Sequence, residues 1–199
     1  MPKSVVDLST IVPFVEPIVR AHGGEIYDLQ WLSEPGGWVL RVLVEKQGSA
    51  AAKLGTEASA VSLELCSNVA RELSPALDVS EMVGHRYSLE VSSPGIERPL
   101  RRQADYERFV DTRVKVKLKN AVLPIPVEPS GPQKAAPPAP KGERVVTGTL
   151  AAAESADAWR VDADNGKSFA FTLEEVADAH LVFEFGSKKT ARKTSKKTA

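Results

Sequence analysis

Glu90-Val91-Ser92-Ser93-Pro94-Gly95-Ile96-Glu97-Arg98-Pro99-Leu100 divides the chain into two parts of different character. The residues leading into it alternate, with Tyr87, Leu89 and Val91 apolar and Ser88, Glu90 and Ser92 polar, the period of a half-buried strand. Pro94-Gly95 then supplies a fixed φ followed by a residue free to take positive φ, which is what the two central positions of a type II turn require. Ser93 and Arg98 each precede a proline and are pushed toward extended backbone. The segment therefore reads as a stiff, bent strap.

Upstream of the strap the pattern mixes helices and strands. Residues 4–21 carry apolar side chains at Val5, Leu8, Val12, Val15 and Val19, with Ser4 as N-cap and His22-Gly23-Gly24 as the stop. Pro13 and Pro17 lie inside this span and predict a kink or a first turn set apart, since an interior proline costs about 3 kcal/mol. Strands are expected over 25–33 and 37–46, around Glu34-Pro35-Gly36-Gly37. In the second, Leu40, Val42 and Val44 share one face, with Arg41, Leu43 and Glu45 opposite. Residues 47–60 are rich in Gly, Ala, Ser and Lys without a period and read as a loop, partly mobile. A helix follows over 62–77, capped by Ser62, with Leu63, Cys66, Ala70, Leu73 and Leu77 on one face. With the strand over 86–92 this is a helix–strand–strand–helix–strand unit, a two-layer α+β sandwich with both helices on one sheet face.

Downstream the pattern is β. Residues 112–119 alternate strictly, Val114, Val116 and Leu118 against Arg113, Lys115, Lys117 and Lys119, which predicts one buried face and one basic face. Residues 120–142 hold seven of the fourteen prolines and read as an extended, disordered insertion. Strands resume over 144–150, 157–163 and 167–172, the last two joined through Asp164-Asn165-Gly166, a hairpin signal. Thr172-Leu173-Glu174-Glu175 has the form of a capping box, and Leu181, Phe183 and Phe185 alternate in a final strand. Five short strands with one helical turn before the last suit a small SH3-like or Sm-like barrel. The domains expected are thus 1–97, an α/β sandwich, and 98–186, the barrel, followed by a basic, disordered tail over 187–199.

The net charge of zero conceals an asymmetry. Residues 1–97 carry 7 Lys/Arg against 13 Asp/Glu, residues 98–186 carry 13 of each, and the tail has 6 basic residues and no acid. Such separation suggests a charged partner, although solubility alone would also account for it. The region 98–144 holds 11 basic against 5 acidic side chains. Arg113, Lys115, Lys117 and Lys119, with Arg98, Arg101, Arg102 and Arg108 upstream, are therefore candidate phosphate contacts. The competing reading is an exposed edge strand whose lysines block pairing. The tail either attracts RNA phosphates non-specifically or only solubilises.

The chemistry of an active site is not legible. Ser92-Ser93 lacks the strand–turn–helix setting of a nucleophile elbow, so a hydrolase built on either serine ranks last. His22, His85 and His180 are scattered without metal-ligand spacing, and the single Cys66 lies on an apolar helix face, where a packed thiol is the default. No phosphate-binding glycine loop occurs, and no cofactor or metal is expected. No run reaches the ~18–20 apolar residues of a membrane span and no signal-peptide pattern opens the chain, which predicts a cytoplasmic protein.

Leu89 to Leu100 closely resembles the signature of the bacterial ribosome maturation factor RimP family. Leu77-Asp78, Asp105-Tyr106-Glu107-Arg108-Phe109 and Ala179-His180-Leu181-Val182-Phe183-Glu184-Phe185 resemble the family in the same order, so the likeness spans most of residues 4–185. Asp111 departs from it, standing where the family has glycine, and residues 120–142 look inserted. The resemblance implies an α/β N-terminal domain, an SH3-like C-terminal barrel and a non-enzymatic role in assembly of the small (30S) ribosomal subunit. It also implies association with a basic small-subunit ribosomal protein, number twelve of that set. Ser92, Ser93, Pro94, Gly95, Arg98 and Pro99 form the interdomain signature motif, and Arg113, Lys115, Lys117 and Lys119 are the residues expected against rRNA. A monomer bound to the subunit precursor through that protein, its rRNA, or both is the leading expectation. A general Sm-like RNA-binding regulator, which would form a ring, is the alternative.

Overall fold

The computed structural model describes residues 6–125, 141–153 and 158–183. The first helix, α1 (Leu8–Ala21), is capped by Asp7, whose carboxylate accepts from Ser9 N at 2.9 Å. Ser4, the expected cap, and Val5 lie outside the described residues. Pro13 and Pro17 are accommodated within this single helix because both rings are exposed, while Ile11, Val15 and Val19 are buried. The carbonyls that lose a partner, those of Ser9 and Pro13, therefore fall on the solvent side where water can hydrogen-bond them.

β1 (Gly24–Glu34) and β2 (Gly37–Lys46) form an antiparallel hairpin with Glu34 opposite Gly37. β3 (Tyr87–Ser92) runs parallel to β2, so the sheet order is β1-β2-β3 and β2 is central. The crossover between them is α3 (Leu63–Ser80), capped by the Ser62 hydroxyl on Leu65 N at 3.1 Å. The packed face of α3 is Cys66, Val69, Leu73 and Leu77; Leu63, placed on that face by spacing, is 83% exposed. The correction is one of phase. Leu63 is the first helical residue, and the core stripe is set by Val69 rather than Ala70. Helix α3 also runs three residues past Leu77 and ends at Glu81 in the left-handed region, φ 52.

Residues 47–60 are not a structureless loop. They turn through Lys53 (φ 51) into a short helix α2 (Thr56–Ser59), with Ser49 and Ser59 buried. This segment has no apolar period because its order comes from hydrogen bonding. Gly48 N and Ala50 N donate to the Glu25 carboxylate at 2.8 and 2.7 Å.

The second sheet holds β4 (Arg113–Val122), β5 (Glu143–Ala152), β6 (Ala158–Ala163), β7 (Ser168–Thr172) and β8 (Val176–Leu181), in the order β7-β6-β5-β4-β8. A short helix α4 (Gln103–Arg108) precedes it. The β6–β7 hairpin turns through Gly166 at φ 77, and a 3-10 turn (Leu173–Glu175) opens with Glu175 accepting from Thr172 N at 2.8 Å, as the capping box predicts. Asp111, in the glycine position, takes φ 63, a conformation that Asp tolerates better than most residues. β4 extends to Val122, into the segment read as insertion. The proline-rich remainder, 126–140, and the tail lie outside the described residues.

Two expectations need correcting. The final strand ends at Leu181, with Ala179 and Leu181 buried, and Phe183, expected on its apolar face, is 45% exposed; Phe185 lies outside the described residues. Nor is the closed barrel seen: among the described residues no ladder joins β7 to β8, and the sheet is a five-stranded antiparallel one. The outer edge of β8 is instead taken by the strap. Leu181 N donates to Arg98 O at 3.1 Å and Leu100 N to Ala179 O at 2.8 Å, with Pro99 bridging His180. Two separate cores result. One lies between α1, α3 and the first sheet; the other joins Leu100, Tyr106 and Phe109 to the inner face of the second. No helix among the described residues is long and apolar enough to cross a membrane.

A candidate functional site at the junction of the two sheets

Glu45 stands near the end of the central strand β2, on the face opposite Val44 and the helices. Burying a lone carboxylate there would be prohibitive, yet Glu45 is 1% exposed. Two arginines from the other side of the strap neutralise it. Arg98 Nη1 donates to Glu45 Oε2 at 2.9 Å, while Arg108 straddles the carboxylate, Nη1 to Oε1 at 2.7 Å and Nη2 to Oε2 at 3.0 Å. Two further donors reach residues 47–60, Arg98 Nη2 to Ser59 Oγ at 2.9 Å and Arg108 Nε to Leu54 O at 2.7 Å, while Arg98 Nε is buried without a hydrogen-bond partner among the described residues. Aromatic rings close the site. The Arg98 guanidinium lies 4.9 Å from the Tyr27 ring centroid and 5.3 Å from that of Phe109, so it is held by ring faces as well as by charge.

Tyr27 continues the clip. Its hydroxyl donates to Pro99 O at 2.5 Å and its backbone carbonyl accepts from Arg102 Nη2 at 2.7 Å. Burial, reinforced by the Asp105 carboxylate, holds the phenol far above its ordinary range, so it stays a neutral donor. The strap is thus hydrogen-bonded on one side to the first sheet and on the other to β8. Within the signature motif, Arg98 is buried, Ser93, Pro94 and Pro99 are half-buried, and Ser92 and Gly95 are exposed. Gly95 has φ +74, as the turn requires, and a Cβ built there meets nothing within 4 Å. Its need for glycine is therefore conformational, not steric. Gly95→Val should cost about 1–3 kcal/mol through backbone strain and disturb the strap. Guanidinium unfolding alongside ribosome profiles would check this; full stability with a normal subunit profile would refute it.

The basic face is narrower than the count of charges implies. Of the residues upstream, Arg98 and Arg108 are buried on Glu45, Arg102 reaches Tyr27 O, and Arg101 pairs with Asp28 at 3.0 Å. None of these serves the outer face as expected, because one-dimensional charge counting cannot see the carboxylates across the junction. On β4, Arg113 pairs with Asp164 and Lys119 Nζ donates to Glu174 O at 2.5 Å. Lys115 and Lys117 are exposed and have no ion-pair partner among the described residues. Their cross-strand neighbours are Thr147 and His180 for Lys115, and Val145 and Asp178 for Lys117. β4 lies between β5 and β8, so these lysines do not guard an edge. The edge-blocking reading is set aside, and their exposure is left to be explained by a partner or by solvation.

Reaction chemistry finds little to work with. Among the described residues no group of three or more His, Cys, Asp and Glu side chains is arranged to hold a metal ion. His22 Nε2 lies 2.8 Å from Glu72, tying the end of α1 to α3, and His180 sits 3.6 Å from Asp178 on β8. Cys66 packs in the first core, where burial pushes its thiol pKa up and away from thiolate chemistry. What sequence reasoning missed is Glu45, Tyr27 and Ser59. The only hint was an acidic residue directly after Val42-Leu43-Val44, on a strand face that it shares with Arg41 and the apolar Leu43. Residues 14–97 match the family model described as the RimP N-terminal domain.

Proposed function

We propose that this chain, placed in the RimP family by the RimP N-terminal domain over residues 14–97, is a non-enzymatic ribosome maturation factor that acts in assembly of the small (30S) subunit. In this reading it is a cytoplasmic monomer that holds a basic small-subunit ribosomal protein, the precursor rRNA, or both, and catalyses no reaction. The family match carries the proposal. Charge supports the division of labour: residues 1–97, with a balance of −6, suit the basic protein, and the Lys115–Lys117 face suits phosphates. The proposed domains are 1–97 and 98–186, the second an SH3-like unit. Its strand order and the 3-10 turn before the last strand favour that assignment. The motif Ser92, Ser93, Pro94, Gly95, Arg98 and Pro99 would set the relative orientation of the two.

A general Sm-like regulator remains the second reading, and the strap weighs against it. A ring assembled by strand pairing needs free edges, and on β8 that edge is occupied by Arg98, Pro99 and Leu100.

Neutralising Lys115 and Lys117 together should leave the fold intact, because Val114, Val116 and Leu118 on the other face stay buried. Association with small-subunit precursors should weaken, and its log–log salt slope should fall by about two units, roughly one per phosphate contact. Lys119→Ala, already engaged with Glu174 O, is the control with a smaller effect. Sedimentation of the wild type with free small subunits, followed over salt, tests both halves. Unchanged affinity and slope in the double variant would remove the RNA contact from the proposal.

A further inference from the structure

Beside the strap is a cavity of about 180 Å³ that the clip does not use. Glu57 and Ala60 line it from the α2 side, Ser93, Gly95 and Ile96 from the strap, and Arg98 from behind. Arg98 adds no free charge, since it is bound to Glu45 and Ser59. The cavity is therefore a small, largely hydrocarbon pit about the size of one aliphatic side chain, with the Glu57 carboxylate as the one unpaired charge in its lining. Ile96, 46% exposed, stands at its lip, an apolar residue in contact with water for no reason the fold supplies. Around it the charge is acidic. Glu57 and the neighbouring Glu97 are exposed and have no ion-pair partner among the described residues.

We propose that this pit is an anchor site for an extended, basic polypeptide segment, which inserts one aliphatic side chain between Ala60 and Ile96 while its flanking lysines or arginines face Glu57 and Glu97. An acidic partner is disfavoured by the rim, and an RNA base by the absence of a stacking ring and of a free cation among the lining residues. The proposal rests on the reading of a basic ribosomal protein as partner and places that contact at the strap. The anchor supplies affinity through burial and the rim supplies orientation, the division usual in peptide recognition. Its position ties occupancy to the clip, because Arg98 and Ser59, the floor of the pit and its neighbour, belong to the same buried cluster.

The test uses the full-length protein and two fluorescein-labelled peptides, Lys-Arg-Gly-Leu-Gly-Arg-Lys and the same sequence with Ser for Leu, in fluorescence anisotropy titrations. The Leu peptide should bind about tenfold more tightly, the size of one buried aliphatic side chain. Ala60→Trp, which fills the pit, should abolish that preference while leaving the salt-dependent component. Glu57→Lys with Glu97→Lys should weaken both peptides alike. Ile96→Ser, which removes the lip without adding bulk, should reduce the preference even if Ala60→Trp fails to fold. Equal affinity for the two peptides, no binding of either, or a preference that survives Ala60→Trp and Ile96→Ser would overturn the proposal. Sedimentation of the wild type with small subunits keeps the outcomes apart. If it persists while the peptide preference is absent, the pit alone is wrong; if it is absent too, the assembly role itself fails.

Discussion

Replacing Glu45 by alanine is expected to destabilise the protein by about 3–5 kcal/mol, the range for removing one partner of a buried ion pair. Two guanidiniums, Arg98 and Arg108, would be left in a site whose side chains are 1% and 3% exposed, with no carboxylate to face. For a chain of this size the shift corresponds to roughly 6–20 °C in melting temperature. A pair of comparisons separates charge from packing. Arg98→Met leaves Arg108 bidentate on Glu45 and should cost less. A combined Glu45→Leu, Arg98→Met, Arg108→Met variant should be closer to the wild type than Glu45→Ala alone, since no charge is stranded. Because the cluster spans both sheets, the Glu45→Ala protein should also lose the single cooperative urea transition, the two cores melting apart. A melting temperature within 2 °C of the wild type would show that the cluster is not what couples them.

Gly148→Ala is expected to be nearly as damaging, for a different reason. Gly148 lies opposite Ala163 where β5 crosses β6, and a Cβ there would sit 2.2 Å from Asp162 O and 2.7 Å from Ala163 Cα. These are backbone atoms that cannot rotate away, so the two strands must separate. Overpacking of this kind costs about 1–3 kcal/mol and can exceed it when a sheet ladder is broken. Amide exchange should localise the loss to the β5–β6 ladder, with Trp159 and Val161 losing protection first. Gly55→Ala, where the added methyl meets nothing within 4 Å, is the matched control and should stay within about 0.5 kcal/mol. If both substitutions are equally mild, the close crossing of β5 and β6 has been overdrawn.

The local elements could be read from neighbouring residues because their causes are local. The alternation of Val114, Val116 and Leu118, the hairpin at Asp164-Asn165-Gly166, the Ser62 cap, the Thr172–Glu175 capping box and the Pro94-Gly95 turn all depend on side chains within a few positions. The same logic explains the small errors. Leu63 and Val69 differ by a phase that a spacing rule with a one-residue tolerance cannot resolve, and two prolines looked disruptive only until their rings were seen to face solvent. Which charges are free and which are buried was decided by the tertiary structure alone. Arg98, Arg108, Lys115 and Lys117 are equivalent in a charge count. The first two are neutralised by Glu45, 53 and 63 residues away, and the last two have no ion-pair partner among the described residues, although Asp178 lies across the ladder from Lys117. Desolvation and pairing depend on distances across the fold, and no window along the chain contains both partners. For the same reason residues 47–60 looked irregular: their order comes from carbonyls and hydroxyls meeting arginines across the strap, and such an order leaves no period in the sequence.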